Sequence, residues 1–286
     1  MANKQTSTTD FNLWGILLPF DILSPSDIDY LDSIAGMERP SVDWIWQEMD
    51  RIWDVQGLDN RLTLQKQAIS EFYSHPIWVV NGVFTATDPV SIQHRDAIAL
   101  FVRRLGVERI ADYGGGFGEL AKKLSAVDSK IQIDIVEPYP SKLGMQRIKH
   151  ETNIRFIKEF ENQYDCVIAQ DVLEHVEHPL ELVEKLVSST QFGGYLIFAN
   201  CFYPVIKCHL PSTFYLRHTF RWVMQGAGLE YVGQVDGVSH AQVFRRVRNI
   251  KKTRLKFLKS IAQFVGPFVN RAREHLGRIK ARWVIK

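Results

Sequence analysis

The sequence is poor in cysteine, and the little it has is badly placed for ligation or cross-linking. Cys166, Cys201 and Cys208 are the three in 286 residues. Their odd number and lack of metal-ligand spacing argue against a disulfide framework or a zinc knuckle and for a reducing, cytoplasmic setting. No apolar run reaches the roughly 18 residues that span a bilayer. The early stretch "FNLWGILLPF" lacks the basic flank and small-residue cleavage site of an export signal, so it is expected to be a packing segment. Internal repeats and low-complexity tracts are missing too. Acid is scarce at one end: Arg245 to Lys286 holds 14 Lys/Arg against the single acid Glu274, which leaves 21 basic and 31 acidic residues in 1–244. An acidic body therefore carries a strongly basic tail.

What is present falls into three parts. Residues 1–90 are rich in aromatics, among them Trp14, Trp44, Trp46, Trp53 and Trp78. Apolar groups in 41–73 recur at helical spacing, so a helical N-terminal region is expected, serving as a lid or as an acceptor or oligomer surface. "FYSHPIWVVNGVFTATDPVS" (72–91) reads as a structured connection, because Pro76, Gly82 and Pro89 interrupt any long helix. Residues 91–248 alternate helical and short apolar strand patterns, with strands at 109–112, 131–136, 154–157, 164–170 and 194–200. That alternation predicts an α/β, doubly wound, mainly parallel sheet. "LEYVGQVDG" and "AQVFRRV" lie close together across a short polar turn and predict an antiparallel pair at its end. Residues 249–286 form a basic helical tail.

The stretch "RIADYGGGFGEL" (109–120) places four glycines straight after a strand pattern and just before a helix pattern. Glycines there allow a tight turn and close approach of a ligand to backbone, while the helix start offers unpaired N–H groups. Glu137 in "IDIVEPYP" stands 23 residues beyond Gly114, at the tip of the second strand, where a carboxylate can accept hydrogen bonds from a ribose diol. Strand, loop, helix, strand and terminal acid in that order point to a nucleoside-containing ligand. A nicotinamide or flavin fingerprint does not fit: read from Gly114, the third glycine of G-x-G-x-x-G falls on Phe117.

"IADYGGGFGEL" resembles the first motif of class I S-adenosylmethionine-dependent methyltransferases, "VEPYP" their ribose-binding acid, "YDCVIAQDVLEHVEHP" the strand and segment beside the methionine part of the cofactor, and "GGYLIFAN" their fifth strand. The resemblance covers about 91–248. It implies a seven-stranded sheet with the last strand antiparallel and S-adenosyl-L-methionine as cofactor. It also implies that Asp112, Gly114, Gly116 and Gly118 line the methionine and ribose side, that Glu137 takes the ribose hydroxyls, and that Gln170 and Asp171 sit near the cofactor at the end of the fourth strand. The acid expected near the adenine has no clean counterpart in "FIKEFENQYD"; Glu159 and Glu161 are the candidates.

The residues nearest a transferred methyl should come from "QDVLEHVEHP", where Asp171, Glu174 and His175 stand at i, i+3 and i+4 and would share one face of a helix. Three readings are open. His175 polarised by Glu174 can act as a general base, which a hydroxyl acceptor needs. The cluster can be part of a divalent metal site, as the resemblance to ubiquinone-type and small-RNA methyltransferases with an E-x-x-E-H segment suggests. Or the residues only position the loop. The reading adopted assigns catalysis to His175, Glu174 and Asp171 and no metal. His209 and His218 follow the fifth strand and are further candidates, as are Tyr73, His75 and Trp78.

In the tail, Leu258, Ile261, Val265, Phe268, Ala272, Leu276, Ile279 and Trp283 recur at steps of three and four among Lys and Arg, interrupted at Gly266-Pro267. Two amphipathic helices are expected, the second starting at Pro267. The tail suits an anionic membrane surface, a nucleic acid or, more blandly, packing on the body or on a second copy. General layout and the "HLPSTFYLRHTFRWVMQGAGLEYVG" segment resemble bacterial enzymes that methylate sugars in surface polysaccharides. The expectation is O-methylation of a sugar or glycan-like acceptor by a cytoplasmic enzyme at the inner membrane face. The alternatives are an RNA or small-metabolite methyltransferase and a non-catalytic cofactor-binding partner of a polysaccharide assembly complex.

Overall fold

The structure is a computed structural model and describes residues 10–284, with side chains described as far as Leu276. The N-terminal region is not wholly helical. "FNLWGILLPF" folds as an antiparallel hairpin of β1 (Phe11–Leu13) and β2 (Ile16–Leu18), turning on Trp14 at φ 47° and Gly15 at φ 86°. Phe11, Leu13 and Leu18 are buried in the core of the N-terminal region. Four helices follow: α1 (Pro25–Ile34), α2 (Val42–Val55), α3 (Lys66–Tyr73) and α4 (Ile77–Thr87). Ser24 and Ser41 cap the first two through their hydroxyls. The stretch expected as an interrupted connection is mostly α4, with Pro76 at its N-cap, Gly82 inside it and Asp88 closing it.

Asp88 then caps α5 (Pro89–Leu105) by accepting from the Ser91 N–H, and Gly106 ends that helix at φ 65°. The repeat continues through β3 (Arg109–Tyr113), α6 (Glu119–Val127), β4 (Gln132–Val136), α7 (Lys142–Ile148), β5 (Ile154–Ile157), β6 (Tyr164–Gln170), α8 (Pro179–Ser189) and β7 (Thr190–Ala199). A six-residue 3-10 turn at Pro211–Leu216 leads to α9 (Phe220–Ala227), β8 (Leu229–Val235), β9 (Val238–Arg246) and α10 (Lys252–Val284). The seven-stranded sheet has the order β5-β4-β3-β6-β7-β9-β8, with β9 antiparallel to both neighbours and the other pairings parallel. The chain steps outward from β3 to β5, then returns to the far side of β3 as β6. The crevice beyond the carboxyl ends of β3 and β6 is therefore the topological switch point where such sheets bind ligands.

The core lies on both sheet faces, with Ile110, Ile133, Ile168 and Ile197 on one and Ala111, Val167, Leu196 and Phe198 on the other. The strands are buried on both sides and so read as nearly continuous apolar runs. The N-terminal region has its own core around Trp53, Phe72 and Ile77, and that core also takes in Leu143 of α7 and Cys208 and Leu210 from the loop after β7. Asn60 Nδ2 donates to the Lys207 carbonyl, the Lys207 N–H to Asp50 and the Leu64 N–H to Glu177. The region is thereby fastened over the segments that follow β6 and β7.

Instead of two tail helices there is one, with Pro267 inside it. An internal proline removes a backbone hydrogen bond and costs about 3 kcal/mol, but packing on either side of it holds the helix together. Leu255, Leu258 and Ala262 are buried in the core, and Asn270 Nδ2 donates to the Phe214 carbonyl. At Gly266 a Cβ would lie 2.5 Å from the Tyr215 carbonyl oxygen, so only glycine lets the helix sit this close. The positions Ile279 and Trp283 of the expected apolar stripe lie outside the described side chains.

Candidate functional site

Asp112 sits near the end of central β3, 2% exposed, and its Oδ2 has no hydrogen-bond partner among the described residues. Burial pushes its pKa up to about 7, and the nearby Glu137 carboxylate adds to the effect. After the strand the backbone turns through Gly114, Gly116 and Gly118, all at positive φ, and α6 begins at Glu119. Gly114 is at φ 72°, and a Cβ there would stand 2.7 Å from Val172, so both conformation and space demand glycine. Glu137 follows the last residue of β4; its own N–H donates to Ile157, and it accepts from the Gly116 N–H. Burial pushes this carboxyl to about 7 as well. Glu159 is exposed after β5, and Glu161 is held by Arg155 at 2.9 Å.

Phe117, which occupies the place of a dinucleotide-type third glycine, has a structural reason. Its ring lies against Gly82 of α4, where an added Cβ would come within 2.2 Å of it. The cofactor-loop candidate is therefore keyed into the N-terminal helices. Gly82→Ala is expected to cost about 1–3 kcal/mol through overpacking. Urea unfolding checks this, and a smaller loss in a Phe117→Leu background would assign it to that contact.

On the other side of the crevice, Gln170 ends β6 and donates from Nε2 to Asp171 Oδ2 at 3.3 Å. Asp171 adopts φ 52°, a left-handed conformation that Asp tolerates better than most residues, and its N–H donates to the Ala199 carbonyl. The residue is exposed, yet the groups crowded around its carboxylate desolvate it and raise its pKa, against the opposing influence first of His240 and then of Gln170, His209 and His94. His94 of α5 and His240 of β9 lie 5.2 Å apart ring to ring. Neither stands out in the sequence, because they are distant in the chain and belong to no spaced motif.

Leu173–His175 form a single 3-10 turn, which Asp171 precedes in its left-handed conformation, so the expected shared helix face is replaced by a tighter bend. Glu174 is fully buried; its Oε1 accepts from the Cys201 N–H at 2.7 Å, and its backbone carbonyl accepts from Leu210. It therefore ties the turn to the loop after β7. Its Oε2 has no partner among the described residues. Burial, and secondarily Asp171, raise the Glu174 pKa to about 8.

His175 Nδ1 lies 3.1 Å from the Cys208 carbonyl, and His209 Nδ1 lies 3.0 Å from the Tyr203 carbonyl. A carbonyl can only accept, so each ring carries its proton on Nδ1 and a free lone pair on Nε2. The partner that orients His175 is thus the Cys208 backbone rather than Glu174. Burial, then the neighbouring His209, push the His175 pKa down to about 3, so the ring is neutral. The two imidazoles stand perpendicular at 4.8 Å, with the Tyr73 ring edge-on to His175 at 6.4 Å and Trp78 against Tyr73 at 4.8 Å. Glu174, His175 and His209 each offer one ligand atom within 4.8 Å of the others, which makes them a candidate metal-binding group among the described residues. His75 instead packs on Tyr30 and accepts from the Ile77 N–H, and His218 faces Arg273 and Glu274 near α10.

Glu174 also sets a pH dependence. Its pKa in the fold is raised above the ordinary value of 4.5, so the stability of the native protonated carboxyl is fully present below about 4.5 and lost as pH rises through about 8. Between those limits the slope approaches about 1.4 kcal/mol per pH unit. Glu174→Gln keeps an acceptor for Cys201 and removes the titration, so its melting temperature should fall less between pH 5 and 9 than that of the parent chain. Parallel curves would rule out Glu174 as the titrating group.

This arrangement can be set beside known proteins. A family model for a methyltransferase domain matches residues 92–234, half of the chain, and the chain belongs to that family. Together with the sheet order, this places it in the class I S-adenosylmethionine-dependent methyltransferase superfamily. A search of curated proteins finds no match. Among solved structures, it is similar to the N-methyltransferase NodS from Bradyrhizobium japonicum, at 15% identity over 57% of this chain and 99% of that one, with a TM-score of 0.43. An O-methyltransferase family 2 protein from Planctomyces limnophilus shares 17% identity over 49% of this chain and 51% of that one, at a TM-score of 0.39. An amino pentose methyltransferase from Micromonospora echinaspora shares 14% identity over 44% and 57%, at 0.36. The chain spans little more than half the length of the last two. These likenesses are too partial to bear on the acceptor.

The residues present fit the superfamily's cofactor. The orphaned Asp112 Oδ2 and the half-buried Glu137 carboxylate, which accepts from Gly116, have acceptor capacity to spare, and the cofactor brings an ammonium group and a ribose diol. Among the described residues no helix is long and apolar enough to cross a membrane.

Proposed function

We propose that the chain is an S-adenosylmethionine-dependent methyltransferase that methylates a hydroxyl of a sugar or glycan-like acceptor. The observation that carries this reading is a pair of neutral imidazoles, each with a free Nε2, beside the crevice at the switch point and next to the aromatic edge of Tyr73. In this reading Asp112, Gly114, Gly116, Gly118 and Glu137 hold the cofactor, with Gln170 and Asp171 on its methionine side. S-adenosylmethionine supplies an electrophilic methyl on a positively charged sulfur. The N-terminal helices act as a lid, and Tyr73 gives a sugar ring an apolar face to lie on.

His175 Nε2 accepts the hydrogen bond of the acceptor hydroxyl and so aims an oxygen lone pair along the line of displacement. As the carbon–oxygen bond forms and the carbon–sulfur bond breaks, the oxygen becomes cationic and its proton passes to Nε2. An oxygen in that state is acidic enough to protonate even an imidazole of depressed basicity. Glu174 positions the turn and, when ionised, stabilises the imidazolium across the cluster.

The orphaned Glu174 Oε2 together with the two free Nε2 atoms favours a second reading. In it Glu174, His175 and His209 hold a divalent ion, which would lower the pKa of a bound acceptor hydroxyl.

The test is transfer of labelled methyl from S-adenosylmethionine to fractionated cell extract. Label in glycolipid or polysaccharide supports the hydroxyl-of-sugar reading. Label confined to RNA or to small metabolites overturns that acceptor and keeps the class; cofactor binding with no transfer to any fraction points to a non-catalytic partner.

A further inference from the structure

α10 has two faces of opposite character. One is docked: Leu255, Leu258 and Ala262 are buried, Gly266 sits against Tyr215, and Arg217 bonds Glu274 at 2.8 Å. The other carries Phe257, Phe264 and Phe268, which are 64%, 73% and 61% exposed. Their spacings of seven and four residues put all three rings on one side of the helix, and Phe264 and Phe268 touch at 5.8 Å between ring centres. An isolated exposed phenylalanine is ordinary, but a row of three opposite a docked face is apolar surface without a partner among the described residues.

The charge around the row says what covers it. From Lys251 to Leu276 the helix and its lead-in carry seven Lys/Arg, of which Lys252 pairs with Glu184 of α8, and the single acid, Glu274, is engaged by Arg217. Arg254 and Arg271 flank the row itself, both exposed. A protein partner of mixed charge does not call for so one-sided a rim, whereas a sheet of anionic headgroups over hydrocarbon does. The helix is too polar to cross such a layer and long enough, at roughly 1.5 Å per residue, to lie along it.

We propose that the outer face of α10 docks on an anionic lipid surface, with Phe257, Phe264 and Phe268 entering the acyl boundary and Arg254 and Arg271 meeting headgroups. The docked face keeps its contacts with the Phe214–Arg217 turn, so the body is held at the surface by a helix fixed to it. This assignment does not depend on the chemistry of the acceptor.

The full-length chain, mixed with vesicles of phosphatidylcholine alone or with added phosphatidylglycerol, should sediment only with the anionic vesicles and be released as salt rises. Phe257→Ser/Phe264→Ser/Phe268→Ser should lose at least about tenfold in vesicle affinity with its circular dichroism unchanged, and so should Arg254→Glu/Arg271→Glu. Absence of binding to anionic vesicles overturns the proposal. So does binding that survives loss of the three rings, which would be charge adsorption alone. A dimer of the parent chain that the triple variant dissociates would assign the stripe to a second copy instead.

Discussion

Glu137→Ala is expected to weaken S-adenosylmethionine binding at least about a hundredfold, since two charge-assisted hydrogen bonds to a ribose diol contribute roughly 1.5–3 kcal/mol each. Glu137→Gln keeps one acceptor oxygen and should fall between the two. Titration calorimetry reads both, and an unchanged Kd in the alanine variant would remove Glu137 from the cofactor site. The pH dependence has a definite sign. Burial places the Glu137 carboxyl near 7, and Asp112, close enough to feel its charge, is near 7 too. A bound ammonium beside Asp112 and a diol on Glu137 both favour the ionised forms, so affinity should fall as pH drops through 7 and binding above that point should release few protons. In the apo protein the same two carboxyls act the other way: they are most stable protonated, and ionising them as pH rises towards 7 costs stability that the cofactor restores.

Much of this site was legible in the sequence because it is local. The glycine turn, the strand before it and the helix after it are contiguous, and Glu137 lies at the end of the next strand, so one βαβ unit carries most of the candidate cofactor residues. β5 and β6 fall where their apolar runs predict, since a strand buried on both faces writes its boundaries plainly. The antiparallel end of the sheet was legible from the short turn between β8 and β9.

The remainder is written in contacts between distant residues. Gly82 and Phe117 explain each other, but they are separated by a whole helix. The orientation of His175 comes from a backbone carbonyl at Cys208, and no side-chain pattern records a carbonyl. His94 and His240 meet near Asp171 only after the sheet has formed. The hairpin of "FNLWGILLPF" rests on a Trp-Gly turn in left-handed conformation, a weaker signal than Asn-Gly. Pro267 marks a helix end by local rules, yet tertiary packing on both sides keeps α10 continuous. In each case local preference gives way to a contact the sequence does not bring near.

His175→Ala should lower kcat by roughly a hundredfold to ten-thousandfold with a hydroxyl acceptor, the range by which general-base catalysis accelerates reactions. Cofactor affinity should hold, because the ring faces the acceptor side of the crevice in the proposed reading. Turnover at saturating acceptor equal to the parent's would remove the base assignment. The companion variant separates the two readings of the cluster. If His175 acts alone, His209→Ala removes a neighbouring ring that depresses His175, together with a bond to the Tyr203 carbonyl, so the basicity of His175 should rise and kcat change little. If Glu174, His175 and His209 hold an ion, His209→Ala should cost as much as His175→Ala, a chelator should abolish activity in the parent chain, and metal analysis should find about one ion per chain lost in either variant. The carboxylate decides in the same direction. Glu174→Gln retains the Cys201 contact and the fold of the turn, so a modest loss of kcat fits a base aided by a distant charge, whereas a loss equal to that of the histidines requires Oε2 as a ligand.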